Sequence, residues 1–251
     1  MTRLARIAAV LLGFALAWEA LVRATGVPHY ILPGPARVYA ALETQAGFIA
    51  ANALTTLAEM VLGLVLGVGG GICCALALAH WRGARRWLLP LVLASQAVPV
   101  FAIAPLLVLW LGFGMASKVA AAALIIFFPV ASSFYDGLAR AGQGWLDLAR
   151  VMGASPAATL LHVRVPAALP AFASGVRVAA AVAPIGAVIG EWVGASAGLG
   201  FMMLQANAQM QTDLLFAALL VLAACAVAFY ATVDALMRRL VPWQPRTETT
   251  D

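Results

Sequence analysis

Apolar residues run along this chain in long stretches, and polar residues gather in short clusters between them. A helix that crosses a bilayer needs about 20 mainly apolar residues to cover roughly 30 Å of hydrocarbon, because its backbone groups can be satisfied only internally. On that measure the pattern predicts six spans, at about 7–21, 55–79, 88–111, 119–138, 170–192 and 214–237. The expected fold is an all-α polytopic membrane helix bundle forming one transmembrane domain over 1–251. Arg3 and Arg6 precede the first apolar stretch as in a signal peptide, but no small-residue cleavage site stands out, so an uncleaved first span is expected.

The connection between the fourth and fifth spans, 139–169, is longer than a minimal bundle needs, and long loops tend to carry function. Within it, Trp145-Leu146-Asp147-Leu148-Ala149-Arg150-Val151-Met152 reads as a short amphipathic helix that Gly153 can end with a left-handed residue. Ser155 and Pro156 follow as a cap and first-turn pair for a second short helix through about Val165, which Pro166 is expected to stop. The predicted product is a helix, a glycine turn and a helix at the membrane surface, with small side chains at Ala149, Gly153 and Ala154 that would permit close docking by another protein. The plainer alternative is a surface helix pair that stabilises the inner ends of the spans. A DNA-binding helix-turn-helix is excluded, because a span begins within a few residues and leaves no room for a duplex.

Composition agrees with the bilayer. Hydrophobic residues make up 64% of the 251 positions and charged residues 10%, against about 25% charged in an ordinary soluble domain. The net charge of +5 would suit a nucleic-acid partner, yet the positions of the bases supply another cause. With the amino terminus inside, twelve of the fifteen basic residues fall on the cytoplasmic side: Arg3, Arg6, Arg82, Arg85, Arg86, Arg140, Arg150, Arg164, Arg177, Arg238, Arg239 and Arg246. Arg23, Arg37 and Lys118 fall outside. That asymmetry follows the positive-inside rule for both termini cytoplasmic, and no nucleic acid is required.

Other residues refine this picture. Gly63, Gly67 and Gly71 recur every four residues on one face of the second span, a spacing that lets helices pack closely. The alanine-rich 179–187 likewise suggests a tightly surrounded helix. Cys73, Cys74 and Cys225 lie in apolar runs and read as packing; His29, His80 and His162 fall in three separate loops and assemble no metal site. Trp87, Trp110, Trp145, Trp192 and Trp243 cluster at predicted interfaces. Ionisable residues at membrane depth are costly and therefore functional candidates. Glu19, Glu59, Glu191 and Asp234 fall toward span ends, where interface pairing would suffice, and Glu191 is the functional choice among them because it closely precedes Gly198 and Gly200, a possible pathway or outer gate. Arg177 is expected to anchor the fifth span by snorkelling.

The loop motif carries a resemblance. Asp147-Leu148-Ala149-Arg150-Val151-Met152-Gly153-Ala154-Ser155-Pro156, then Val165-Pro166-Ala167-Ala168-Leu169-Pro170 and Gly175, resembles the "EAA" loop of permease subunits in bacterial ATP-binding-cassette importers. Asp147 stands for the family's Glu and Leu148 for its first Ala, while Ala149 and Gly153 match outright. Ile31-Leu32-Pro33-Gly34-Pro35, Pro105-Leu106-Leu107-Val108-Leu109-Trp110-Leu111-Gly112-Phe113-Gly114, Phe128-Pro129-Val130 and Gly198-Leu199-Gly200-Phe201 are similar to the branch that imports sulfonates, taurine, nitrate and thiamine-pyrimidine precursors. The resemblance implies a homodimer of this chain in the bacterial inner membrane, two copies of a cytoplasmic ATPase that carry the ATP and magnesium, and an extracytoplasmic substrate-binding protein. It also implies that Asp147, Ala149, Gly153, Ala154, Ser155 and Pro156 couple the chain to the ATPase, with no catalytic residue and no cofactor of its own. The chain has no Gly-x-x-x-x-Gly-Lys-Ser/Thr phosphate loop, and its only lysine is Lys118.

The stretches 95–105 and 131–138 look most similar to permeases for hydroxymethylpyrimidine-like thiamine precursors, with sulfonate, taurine or nitrate as the alternative cargo. A secondary transporter driven by ion gradients is the rival from another class, but its usual marks, an inverted repeat and a carboxylate near a span centre, are not evident.

Overall fold

The computed structural model describes residues 3–95 and 99–243, all of whose regular elements are helical. In chain order these are α1 (Arg3–Thr25), α2 (Pro35–Thr44), α3 (Ala46–His80), α4 (Arg82–Ser95), α5 (Val100–Leu111), α6 (Met115–Ala139), α7 (Gln143–Val151), α8 (Pro156–Thr159), a π-helical turn (Leu160–Arg164), α9 (Val165–Gly194), α10 (Leu199–Ala208) and α11 (Thr212–Leu240). Among the described residues, four stretches are long and apolar enough to cross a membrane: α3, α6, α11 and the continuous helix Pro156–Gly194. A fifth is added if α4 and α5 form one broken span.

Two expectations about helix continuity change. The third predicted span is not one rod, since Gly83–Ser95 and Val100–Leu111 meet at 102°. Pro90 lies inside α4, Pro99 caps α5 and Pro105 lies inside α5, so the ladder lacks three N–H donors over a short distance and a straight helix is disfavoured. Gln96, Ala97, Val98 and Arg246 lie outside the described residues. The second change is at Pro166, which does not stop a helix. The N–H of Val165 reaches back five residues to the carbonyl of Leu160, and this wider turn makes room for the proline ring where a tight α-turn would crowd it.

The chain forms two compact units, Met1–Thr56 with Ala197–Cys225, and Leu57–Ser196 with Ala226–Asp251. The first has a small core of Val38, Ile49, Ala53, Leu199, Met202, Ala217 and Ala218, on which the Trp18 and Phe216 rings meet at 5.7 Å. Its polar ties are Arg37 to Asp213 at 3.1 Å and the Thr212 hydroxyl donating to the Tyr30 carbonyl at 2.7 Å.

In the second unit α6 packs extensively on α9. Ala179, Ala180, Ala183 and Ala187 are fully buried, and small residues keep the backbones close. A Cβ on Gly186 would stand 2.7 Å from Ala122 Cα, and one on Gly175 2.7 Å from the Pro129 carbonyl oxygen. Gly63, Gly67 and Gly71 of α3 lie against Ala122, Ile126 and Val130 of α6, within this chain. At Gly67 an added Cβ would sit 2.6 Å from Ile126 Cγ2 and 2.9 Å from the Ala123 carbonyl oxygen. Backbone cannot yield as a side chain can, so Gly67→Val is expected to destabilise the unit by about 1–3 kcal/mol, as overpacking does. A thermal unfolding midpoint in detergent equal to that of the unmodified protein would refute this.

Cys73 does not pack inside the chain; it is exposed on α3. Arg177 does not snorkel either. Its Nε donates to Asp234 Oδ1 at 2.8 Å, and Arg238 bonds the other oxygen of the same carboxylate, so the pair ties α9 to α11.

Candidate functional site

The loop between α6 and α9 builds its turn from local chemistry. Leu146 and Ala149 face inward from α7, while Trp145, Leu148, Val151 and Met152 are exposed. The helix then ends in a Schellman motif: the Gly153 N–H donates to the Arg150 carbonyl at 3.0 Å and the Ala154 N–H to the Ala149 carbonyl at 2.9 Å. Gly153 adopts φ +73°, a conformation that costs other residues more than glycine. One residue further on, the Ser155 hydroxyl accepts the Ala158 N–H at 3.2 Å and Pro156 opens α8, which satisfies a donor the short helix would otherwise leave free.

This geometry alters the expected docking face. Ala149 is buried against its own subunit, behind the turn. The exposed surface of the turn is instead Val151, at 87% of its full exposure, with Met152 at 76% and Gly153 and Ala154 beside them. Asp147 accepts Arg150 at 2.8 Å within α7.

A second cluster lies inside the same unit. Lys118 is in the first turn of α6, yet its side chain is almost fully enclosed, and its Nζ is 3.5 Å from Oε1 of Glu59, which is wholly buried on α3. Glu191 in the last turn of α9 is also buried and acts on the same Glu59 carboxylate. Gly190 makes the meeting possible, because its missing Cβ would stand 2.9 Å from Lys118 Cα. Lys118 is therefore not a loop cation, and Glu59 and Glu191 are not interface snorkellers. Two carboxylates and one ammonium are removed from water together, an arrangement that charges at membrane depth tolerate only with partners.

Gly198 and Gly200 belong to the first unit. Gly198 has φ +116° and donates its N–H to Asn52 Oδ1 at 2.8 Å, while the Leu199 N–H donates to Thr56 Oγ1 at 2.8 Å. Two side chains of α3 thus satisfy the free donors at the start of α10. Asn52 and Thr56 were missed from the sequence. A signal was present: Asn52, Thr56, Glu59, Gly63, Gly67 and Gly71 follow at four- and three-residue steps and so share one face of α3, and all are buried. Among the described residues no group of three His, Cys, Asp or Glu side chains is placed to hold a metal ion.

Comparison with known proteins places these features in a family context. The model of the family described as "binding-protein-dependent transport system inner membrane component" matches residues 67–244. A probable ABC transporter permease protein of Haemophilus influenzae is 52% identical, covering 89% of this chain and 91% of that protein. The formylaminopyrimidine transport permease protein ThiX of Halalkalibacterium halodurans is 34% identical, covering 91% and 92%. The riboflavin transport system permease protein RibX of Chloroflexus aurantiacus is 36% identical, covering 90% and 85%. In fold, a chain of the MetNI methionine ABC transporter in an inward-facing conformation superposes with TM-score 0.69 at 18% identity, covering 79% of this chain and 98% of that one.

Proposed function

This chain belongs to the family of binding-protein-dependent transport system inner membrane components, as the non-catalytic, multi-pass permease subunit of an ATP-driven importer, and from that premise we propose how it is driven and what it carries. The observation that carries the first part is the bare apolar turn formed by Leu148, Val151, Met152 and Gly153. The ATPase receives this turn in a cleft, and Asp147, Ala149, Gly153, Ala154, Ser155 and Pro156 shape it for docking. Nucleotide-driven closure of an ATPase pair then moves the turn as a rigid body. Because the turn leads into a helix that is continuous from Pro156 to Gly194, a push on the turn is carried into a spanning segment, biasing two arrangements of the bundle. Two copies of the permease line the pathway, both termini lie in the cytoplasm, and a binding protein delivers the cargo from outside.

For the cargo we favour a thiamine-precursor pyrimidine of the hydroxymethylpyrimidine or formylaminopyrimidine type. Supporting it are the stretches 95–105 and 131–138 and the likeness to a formylaminopyrimidine permease along nine-tenths of both chains. A flavin is the second reading, favoured by the likeness to a riboflavin permease over a similar length; sulfonate, taurine and nitrate follow. The pathway need only pass what the binding protein delivers, so the deciding measurement is on that protein. Calorimetric titration of the co-encoded binding protein is expected to show tight binding of an aminopyrimidine and none of taurine. Tight binding of riboflavin or taurine instead would reassign the cargo, and failure of any ATPase to co-purify with the permease would remove the importer reading of the turn.

A further inference from the structure

A cavity of about 530 Å³ lies in the second unit, between the end of α3, the start of α4, and the α7–α9 loop. That is within the range of small-molecule sites, roughly 300–1,000 Å³. Three arginines, Arg85, Arg150 and Arg164, face it beside His80 and Thr159, and among the described residues no carboxylate does. Arg150 is partly neutralised by Asp147 at 2.8 Å, whereas among the described residues Arg85 and Arg164 take part in no ion pair. Arg164 comes from the π-helical turn, an uncommon element that recurs at functional sites. Two guanidiniums lining one space, with no anion of the described residues paired to either, make a receptor for a phosphate-type oxyanion.

The rest of the lining separates a lipid from a free anion. Leu146 and Leu160 share the wall with the arginines, so the cavity is amphiphilic. Beside it, α4 places Arg86 next to exposed Trp87, Leu88 and Leu91, the mixture of cations, tryptophan and leucine found where helices lie at a membrane interface. We propose that this cavity holds the phosphate headgroup of an anionic phospholipid of the inner leaflet. The bound lipid fills the space behind the docking turn and braces α3 and α4 against it, as basic pockets on the cytoplasmic side of other bundles hold anionic headgroups. The proposal rests on the cytoplasmic placement of the turn given above.

The test uses the full chain with its ATPase in nanodiscs of phosphatidylcholine mixed with phosphatidylglycerol, followed by detergent extraction and native mass spectrometry of the retained lipid. The unmodified protein is expected to retain phosphatidylglycerol in preference to phosphatidylcholine. The double variant Arg85→Gln/Arg164→Gln is expected to retain about tenfold less. A charge-matched control, Arg140→Gln/Arg239→Gln, whose residues lie outside the lining, is expected to retain it normally. Equal retention by the two double variants, or no lipid preference in the unmodified protein, would overturn the site. Displacement of the lipid by excess inorganic phosphate, with phosphate then bound alone, would overturn the lipid source and leave a soluble anion. Co-purification of the ATPase is scored separately in every sample, so failure of the docking reading shows as a lost ATPase and failure of this proposal as an unchanged lipid.

Discussion

Replacing Lys118 by methionine is expected to destabilise the protein by about 3–5 kcal/mol, the usual result of removing one partner from a buried charge pair. The reason is arithmetic of charge in a closed space. Lys118 is 3.5 Å from Glu59 Oε1, with side-chain exposures of 5% and 0%, and the buried Glu191 is close enough to act electrostatically on the same carboxylate. Without the ammonium, two carboxylates share a buried site and Glu59 has lost the cation that meets it. The double variant Glu59→Gln/Lys118→Met leaves one carboxylate and is expected to recover part of the loss. Thermal unfolding in detergent, or the yield of monodisperse protein, reads the effect. A single variant within about 1 kcal/mol of the unmodified protein, the cost typical of an exposed pair, would mean that the cluster is hydrated in the membrane.

The Gly153→Asp variant is expected to insert and fold normally yet lose ATP-dependent uptake by more than about tenfold, through the 2–5 kcal/mol that an unpaired charge costs at a closed interface. The structure separates the causes. Among the described residues, none beyond its chain neighbours lies within 4 Å of a Cβ added at Gly153, so the substitution meets no tertiary clash there, and at φ +73° aspartate and asparagine are among the better-tolerated replacements. Gly153→Asn has nearly the same shape without the charge and is expected to retain more uptake than Gly153→Asp. Reconstituted vesicles with the binding protein and ATPase provide the assay. Normal uptake by Gly153→Asp would argue against docking at this turn.

Much of the turn was legible in advance because its causes are local. A glycine after an amphipathic stretch, then Ser-Pro, requires only neighbouring residues to explain it, and the Schellman turn at Gly153 and the cap at Ser155 appear where that pattern places them. The face of the α7 helix was less legible. Ala149 is small enough to dock on a partner or to pack on its own subunit, and only the surrounding helices decide for packing. Pro166 was misread for a related reason: a proline stops an α-helix by clashing with the preceding turn, and nothing in the sequence announces that this turn is π.

By itself, then, the sequence determined the solvent in which the protein folds, the glycine face of α3 and the position of the exposed turn, since hydropathy, four-residue spacing and left-handed glycines act through neighbours along the chain. Tertiary structure alone decided that Lys118, Glu59 and Glu191 meet, that Arg177 pairs with Asp234, and that Asn52 and Thr56 cap α10. Those contacts join residues dozens to more than a hundred positions apart. Burial makes them necessary, because a charge or donor withdrawn from water must find a partner, but which partner it finds depends on how the helices pack.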